Sequence, residues 1–433
     1  MDNARTAALE ILERCRRNGA WSSVTLDAVI TKYKLDKRSA ALASGISLGV
    51  MQNSALCDFY IDCFSNAKIE PKVRDILRCA VFQMLFMDRI PHNAAVNEAV
   101  EQAKSLGYSR ASGFVNAVLR RISANIDKLP DIPGKGTAEY LSVKYSHPRW
   151  LTELIVKEQG YEFAEAFFAA NNTAPETDLQ VNTNRISAGE FEKLLNDSGV
   201  EFKRHGWLQN CFTVKGNVSE LIGYKEGYFY VQDSAARSAV SVLELEPGMK
   251  VLDACAAPGG KSFAAAIDMS NSGSILSCDM HEKKLSLIRN GAERLGITVI
   301  STEAADARKE RSELFDAIIA DVPCSGLGVI RKKPEIRYKK PEELESLPNI
   351  QLDILNNLAG SLKVGGAMIY STCTVLRSEN EDVVKAFLSE NTGYVTEKFT
   401  LPNGKTAANG MYTFWPNVDG TDGFFVCRIR RMI

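Results

Sequence analysis

The fold of the carboxy-terminal half is decided by residues 252–262, which read LDACAAPGGKS. This stretch follows a short apolar strand predicted at 250–253 and leads into a helix predicted at 261–268. Its small residues let the backbone approach a bound molecule closely, and the first N–H groups of a helix have no partner within the helix. The stretch therefore predicts a ligand site at the carboxyl end of a strand.

Strands and helices alternate on the carboxy-terminal side of this loop. Four further short apolar strands are predicted, at 274–278, 299–303, 317–321 and 367–371. Such alternation predicts right-handed crossovers and a mostly parallel sheet, whose ligands bind at the carboxyl ends of the strands. We therefore predict an α/β domain over residues 236–433.

The remainder of the chain has a different pattern. Residues 1–130 are predicted to be all-helical, because apolar residues such as Val73, Ile76, Leu77 and Ala80 recur at helical spacing. Proline and glycine mark residues 131–144 as a linker. A small α+β domain is predicted at 145–235, with helical stretches at 149–171 and 187–198 and strands at 178–182, 211–214 and 228–232.

Composition limits the class of protein. The 433 residues are 45% hydrophobic and 24% charged, as in folded globular proteins. The net charge of −1 means that any nucleic-acid contact depends on a local positive patch. The ten cysteines form no CxxC pair and there are four histidines, so we expect no metal. Without an apolar leader or a run of about 20 apolar residues, we expect a cytoplasmic protein that does not enter the membrane.

Two acidic residues follow the predicted second and third strands. Asp279 lies 20 residues after Gly259 (279 − 259), and an acid at that distance binds ribose hydroxyls in nucleotide-binding folds. Asp306 follows the third strand and is placed to reach an adenine. For either residue singly, a solvated acid in a strand-end loop is the alternative.

Two cysteines follow the fourth and fifth strands. Cys324 lies in Asp321-Val322-Pro323-Cys324, and Cys373 lies in Ser371-Thr372-Cys373-Thr374. A free cysteine is most often a small buried hydrophobe. The position of these two at the ends of strands, with Asp321 nearby, favours convergence on one crevice.

A phosphate-binding loop is the main rival interpretation of residues 255–262. Gly260-Lys261-Ser262 fits that motif, but Cys255 stands where its first glycine belongs. An NTPase also has no need of the acid at Asp279.

The motifs resemble those of a known family. DACAAPGGKS, DVPCSG and STCT, in this order, are similar to the motifs of S-adenosylmethionine-dependent RNA cytosine-5 methyltransferases. Gln232-Asp233-Ser234-Ala235 resembles the substrate-side motif of that family, and residues 328–338 resemble its bacterial small-subunit rRNA branch, RsmB/Sun/Fmu. Residues 90–100 and 114–116 resemble the helical fold of the antitermination factor NusB.

The resemblance implies a fold and a reaction. It implies an all-α NusB-like domain, a small α+β RNA-binding domain and a Rossmann-like methyltransferase domain. It implies methylation of carbon 5 of a cytosine in 16S rRNA, with Cys373 as the nucleophile on carbon 6, Cys324 in the release step and Asp321 at the base edge. It implies that the cofactor S-adenosyl-L-methionine contacts Cys255, Ala256, Ala257, Pro258, Gly259, Gly260, Lys261, Asp279, Asp306 and Asp321.

RNA contacts are predicted from a basic run that follows Cys324. Its members are Arg331, Lys332, Lys333, Arg337 and Tyr338, the last as a stacking ring, and a solvated charged face is the alternative. The expected partner is small-subunit rRNA, free or in an early assembly particle, bound by a monomer. Methylation of a tRNA cytosine and a non-catalytic RNA-binding module remain alternatives.

Overall fold

The structure is a computed structural model that describes residues 3–18, 22–215 and 218–433. The chain forms two compact units. Unit 1 comprises Met1–Thr173 and Ile330–Lys339, and unit 2 comprises Ala174–Val329 and Lys340–Ile433. This division differs from the predicted domain boundaries, because the helices after residue 137 pack with unit 1 and so does the segment 330–339.

Unit 1 is helical, as the sequence predicted. Its helices are α1 Asn3–Asn18, α2 Ser22–Tyr33, α3 Lys37–Cys63, α4 Pro71–Phe86, α5 His92–Ser105, α6 Ser112–Ala124, α7 Ala138–Lys144, α8 Arg149–Gln159 and α9 Tyr161–Asn171. Val73, Ile76, Leu77 and Ala80 of α4 are buried, which confirms the face that their spacing predicted. The single stretch predicted at 149–171 is two helices, because Gly160 has a φ of 87° and ends α8.

The segment 330–339 is anchored in unit 1 at a kink in α3. Asn53 departs from helical geometry there, and the amide of Leu56 donates to Ser146 Oγ. The carbonyl of Gln52 accepts from the Arg337 guanidinium at 2.6 Å, and that of Met51 accepts from the Tyr338 hydroxyl at 2.7 Å. The kink therefore provides two carbonyl acceptors for this segment.

Unit 2 begins with a small four-stranded antiparallel sheet. Its strands are β1 Thr177–Val181, β2 Phe202–Arg204, β3 Cys211–Val214 and β4 Phe229–Val231, in the order β2-β3-β1-β4. Helix α10, Ala188–Asp197, begins with a capping box between Ser187 and Glu190 and buries Phe191 in the core of this sheet. Helix α11, Ser234–Ser241, leads into the larger sheet.

The larger sheet of unit 2 has eight strands, and seven of them follow the order β10-β14-β9-β8-β5-β6-β7. The strands are β5 Lys250–Asp253, β6 Ser274–Asp279, β7 Ile300–Ala304, β8 Phe315–Asp321, β9 Leu362–Thr372, β10 Tyr394–Thr396, β13 Met411–Phe414 and β14 Phe424–Arg431. The remaining elements are α12 Gly260–Asp268, α13 Glu282–Leu295, α14 Leu347–Ala359, α15 Glu381–Glu390, α16 Pro416–Asp419 and a hairpin of β11 Phe399–Thr400 and β12 Thr406–Ala407.

The direction of the strands positions the site. Strands β5 to β9 are parallel, and β14 pairs antiparallel with β9. The carboxyl ends of the five parallel strands therefore lie at one edge, and every predicted strand of this domain is present. The α/β class is confirmed, and β10, β13 and β14 were not predicted.

In the part of the chain that the structure describes, every helix is too short or too polar to cross a membrane. Within the same residues, histidine, cysteine, aspartate and glutamate side chains form no group that could hold a metal ion.

Candidate active site

The loop after β5 is held in one conformation from both of its ends. Gly259 has a φ of 113°, and a Cβ there would lie 2.6 Å from the Phe263 ring, so this position requires glycine. Ser262 Oγ, in the first turn of α12, donates to Asp253 Oδ2 at 2.7 Å. Asp253 is fully buried, and burial raises its pKa to about 7. The buried contact fixes the start of α12 against the end of β5.

Lys261 and Asp321 form an ion pair beside this loop. Lys261 Nζ lies 2.7 Å from Asp321 Oδ2 and 5.0 Å from the centroid of the Phe424 ring. Ser371 Oγ donates to the other oxygen of Asp321 at 2.9 Å, across the β8–β9 pairing. Burial opposes the charge on Lys261, but Asp321 and also Cys373 outweigh it, so the pKa of Lys261 is raised. The ammonium group is therefore a stable positive charge next to Cys373.

The two predicted cysteines meet. Cys324 Sγ lies 3.2 Å from Cys373 Sγ, and both thiols are free. The contact with Cys373, followed by burial, raises the pKa of Cys324 well above its ordinary value. The raised pKa keeps Cys324 protonated, and Cys373 is the sulfur whose charge interacts with the Lys261 ammonium.

Two adjacent buried residues tie down both cysteine loops. Glu379 Oε2 accepts from the backbone N–H of Ser325 and from Gln351 Nε2, each at 2.9 Å. Asn380 accepts from Thr372 Oγ1 at 2.6 Å and donates to the Thr374 carbonyl at 3.1 Å. We call Glu379 and Asn380 the cysteine clamp, because their contacts lie directly beside Cys324 and Cys373.

The acids after β6 and β7 are held by local contacts. Asp279 Oδ1 accepts from the N–H of His281 at 2.9 Å, and among the described residues no hydrogen bond reaches Oδ2. Asp306 is paired with the guanidinium of Arg308 at 2.8 Å. Hydrogen bonds from the Arg308 side chain and backbone lower the pKa of Asp306 to about 2. Both acids are at the predicted edge of the sheet, and their cofactor contacts stay predictions.

A cavity of 170 Å³ lies between the β5 loop and the start of α11. It is lined by Val231, Gln232, Ala236, Asp253, Cys255, Ala256, Ala257, Pro258, Gly260, Lys261 and Asp321. The loop residues predicted at the cofactor therefore surround a common space with the Lys261–Asp321 pair. A second cavity of 280 Å³ includes Asp306 and residues 303–307 in its lining.

The predicted RNA-binding residues lie in unit 1, and one of them needs correction. The Arg337 side chain is 1% exposed, and it donates to the carbonyls of Gln52 and Ser146 and to Asn172 Oδ1. Burial lowers its pKa to about 10, which still leaves it charged at neutral pH. A guanidinium enclosed by these oxygens is not available to a phosphate, so Arg337 serves as an anchor. Arg331, Lys332, Lys333 and the half-exposed Tyr338 ring stay predictions.

Several residues of the site were not singled out as site residues from the sequence. They are Asp253, Phe424, Ser371, Gln351, Glu379 and Asn380. Ser371 was quoted only as part of a motif. Glu379 carries no signal in its spacing, because Ser325 and Gln351 are 54 and 28 residues away, and the contacts of Asn380 with Thr372 and Thr374 follow no recognised local motif. Only the tertiary structure brings them to the cysteines.

The fold and the site together define a class. An eight-stranded sheet with an antiparallel strand next to the last parallel strand and a small-residue loop after its first strand is the Rossmann-like fold of methyltransferases, and here it carries two thiols in contact. Residues 240–430 match the 16S rRNA methyltransferase RsmB/F family, residues 2–124 the NusB family and residues 147–219 the ferredoxin-like domain of RsmF/B-like methyltransferases.

Full-length relatives agree with these matches. A protein of Bacillus subtilis (strain 168) called probable ribosomal RNA small subunit methyltransferase B is 35% identical over 99% of both chains. The ribosomal RNA small subunit methyltransferase B of a Klebsiella pneumoniae strain is 30% identical over 99% of this chain and 98% of its own. The chain therefore belongs to the 16S rRNA methyltransferase RsmB/F family.

Solved structures share the fold. The crystal structure of PH0851 covers 100% of this chain and 99% of its own, with a TM-score of 0.82 and 25% identity. A methyltransferase homolog protein from Pyrococcus horikoshii covers 67% of this chain and 97% of its own, with a TM-score of 0.59 and 26% identity.

Proposed function

We propose that this protein methylates carbon 5 of a cytosine in small-subunit rRNA, with S-adenosyl-L-methionine as the methyl donor and a covalent bond between Cys373 and carbon 6 of the ring. The observation that carries the proposal is the 3.2 Å contact between Cys324 and Cys373 beside the Lys261–Asp321 ion pair. The substrate is inferred from the names of the relatives, which are called ribosomal RNA small subunit methyltransferases.

The edge of the large sheet suits the methyl donor. S-adenosyl-L-methionine supplies a methyl group on a positively charged sulfur, ready for attack by a nucleophilic carbon. Asp279 Oδ2, with no hydrogen bond from the described residues, fits a ribose hydroxyl. The backbone of residues 255–261 fits the methionine end, because Gly259 and Gly260 allow close approach there.

Cys373 starts the reaction by adding to the base. Carbon 5 of cytosine is a weak nucleophile, and addition of the Cys373 thiolate to carbon 6 moves an electron pair toward it. Lys261 stabilises the thiolate and the negative charge that develops on the ring, and Asp321 holds Lys261 in place through Oδ2. The ion pair therefore acts on both the Cys373 nucleophile and the cytosine ring.

Cys324 completes the reaction. After methyl transfer, carbon 5 still carries its proton, which must leave before the double bond re-forms and Cys373 departs as a thiolate. Once Cys373 Sγ is bonded to carbon, the contact that raises the pKa of Cys324 is lost. The pKa of Cys324 then falls, so Cys324 can release its own proton to water and, as a thiolate, take the proton of carbon 5.

The test separates these two roles. Each variant is incubated with rRNA and labelled S-adenosyl-L-methionine, nucleosides are analysed for 5-methylcytosine, and covalent protein–RNA species are resolved on denaturing gels. We expect Cys373→Ala to give neither product nor adduct. We expect Cys324→Ala to accumulate an adduct, because addition proceeds and release does not.

Cys63→Ala is the matched control, since Cys63 is an exposed cysteine at the end of α3. It should behave as the unmodified protein does. Near-normal turnover by Cys373→Ala would contradict the assignment of the nucleophile, and a methylated nucleoside other than 5-methylcytosine would contradict the proposed reaction.

A further inference from the structure

Cys324 and Cys373 are held together by the loops that carry them. Ser325 Oγ donates to Thr374 Oγ1 at 2.7 Å, so the residues directly after the two cysteines are hydrogen-bonded to each other. The N–H of Gly328, in the Cys324 loop, donates to the carbonyl of Cys373 at 2.9 Å. These bonds join the two loops next to the thiols and hold the sulfurs 3.2 Å apart.

The Cys324 loop has little freedom to move away from Cys373. A Cβ at Gly328 would lie 1.8 Å from the carbonyl oxygen of Gly423, and the N–H of Gly423 donates to the Gly328 carbonyl at 2.8 Å. This backbone contact adds to the bond between Glu379 and the N–H of Ser325. A disulfide bond brings two sulfurs to about 2 Å, so a small rotation of the two side chains separates the present contact from a bond.

The two sulfurs differ in the form that they favour. Cys373 interacts electrostatically with the Lys261 ammonium, which favours its thiolate. The raised pKa of Cys324 keeps that thiol protonated. Both side chains are half-buried, so a solute as small as a peroxide can reach them. An accessible thiolate beside a second thiol is the arrangement in which one sulfur is oxidised and the other resolves the product.

We propose that Cys324 and Cys373 form a modification site at which hydrogen peroxide converts the two thiols into a reversible disulfide. The Cys373 thiolate attacks one oxygen of the peroxide, so that an S–O bond forms, the O–O bond breaks and the other oxygen leaves as hydroxide. Cys324 then attacks the Cys373 sulfur, and the hydroxyl group leaves with the Cys324 proton as water. In total, two thiols and one peroxide give one disulfide and two waters.

The disulfide has two consequences for the protein. It removes the thiolate that adds to the ring, so it stops methyl transfer, and this consequence rests on the proposed function. It also protects Cys373, because a sulfenic acid without a neighbouring thiol is oxidised further to a sulfinic acid that ordinary thiols do not reduce. Cys324 therefore resolves the oxidised Cys373 in addition to its proposed part in the methylation.

The test follows the sulfurs and the activity separately. The reduced protein is treated with hydrogen peroxide, the remaining peroxide is destroyed with catalase, and free thiols are blocked with N-ethylmaleimide. Peptide mass spectrometry identifies the cysteines joined in a disulfide and those that carry sulfinic acid. Methyl transfer to rRNA is measured on unblocked portions of the same samples, with and without subsequent dithiothreitol.

We expect a peptide pair joined through Cys324 and Cys373, and a loss of methyl transfer equal to the fraction of protein that carries this disulfide. Dithiothreitol should reverse both. In Cys324→Ser, Cys373 should instead accumulate sulfinic acid that dithiothreitol does not reverse. Cys63→Ala, which removes an exposed cysteine outside the site, is the matched control and should form the disulfide as the unmodified protein does.

Thermal unfolding shows whether Cys324→Ser is folded, and Cys324→Ala replaces it if it is not. Absence of the Cys324–Cys373 disulfide after peroxide treatment would overturn the inference. Equal amounts of sulfinic acid on Cys373 in the unmodified protein and in the Cys324 variant would also overturn it, because Cys324 would then resolve nothing. If the disulfide forms but the reduced protein makes no 5-methylcytosine, the modification site stands and the proposed function fails.

Discussion

The loops after β8 and β9 differ from those after β6 and β7 in how they are held, although all four lie at the same edge of one sheet. The cysteine loops are fixed by the clamp residues Glu379 and Asn380, each 1% exposed. Asp306 is instead paired with Arg308, whose side chain is 45% exposed. Formation of a carbon–sulfur bond requires fixed atoms, because small displacements cost much of the rate. Binding of a flexible cofactor places weaker demands on the positions of the side chains in the loops after β6 and β7.

Among the changes at the cysteine loops after β8 and β9 and their neighbours, we expect replacement of Lys261 to have the largest effect. We expect Lys261→Met to lower kcat by about 100-fold or more, because thiolate and ring lose their cation. Lys261 and Cys373 interact electrostatically, and a neighbouring ammonium favours the charged form of a thiol. Without the ammonium, the rising limb of the pH–rate profile should move to higher pH by about one unit.

Initial rates of adduct formation between pH 6 and 9 measure this shift. Lys385→Met, an exposed lysine of α15, is the control and should leave the profile unchanged. If Lys261→Met lowered the rate but left the rising limb of the pH–rate profile at the same pH, Lys261 would act on the cytosine ring and not on the Cys373 thiol.

Removal of Glu379 tests the clamp. We expect Glu379→Ala to lower kcat about 10- to 100-fold while KM for S-adenosyl-L-methionine stays nearly constant, because Ser325 N–H and Gln351 Nε2 lose their acceptor. Glu379→Gln retains an acceptor oxygen and should recover much of the rate.

Glu390→Ala, at the exposed end of α15, is the matched control, and thermal unfolding of each variant shows whether it is folded. If Glu379→Ala lost stability but kept its kcat, the clamp would be a part of the core with no bearing on the thiols.

A change at Asp306 is expected to have the smallest effect. Asp306→Asn should raise KM for S-adenosyl-L-methionine a few-fold and leave kcat nearly constant, because it weakens the predicted cofactor contact and leaves the sulfurs in place. Its ion pair with Arg308 is screened by solvent, so its loss should change stability little.

Calorimetry with S-adenosyl-L-methionine measures this affinity directly. Asp382→Asn, whose exposed pairing with Arg377 is comparable, should leave it unchanged. If Asp306→Asn lowered kcat as much as Glu379→Ala does, the distinction between the loops after β8 and β9 and those after β6 and β7 would be wrong.

The sequence determined the α/β class, the parallel strands and the presence of two cysteines at strand ends, because strand periodicity and strand-end motifs are local properties. It also indicated that the small residues of the β5 loop allow close approach of the backbone, whereas the left-handed conformation that requires glycine at 259 is known from the structure.

Tertiary structure alone decided which side chains hold the site. Glu379 meets Ser325 across 54 residues, and Arg337 meets Gln52 across 285, so no local pattern could indicate either contact. The basic run after Cys324 looked uniform in sequence, but burial separated Arg337 from its neighbours. The sequence gives the position of each charged residue in the chain. Whether that charge can bind a partner depends on its burial, which the packing of distant segments determines.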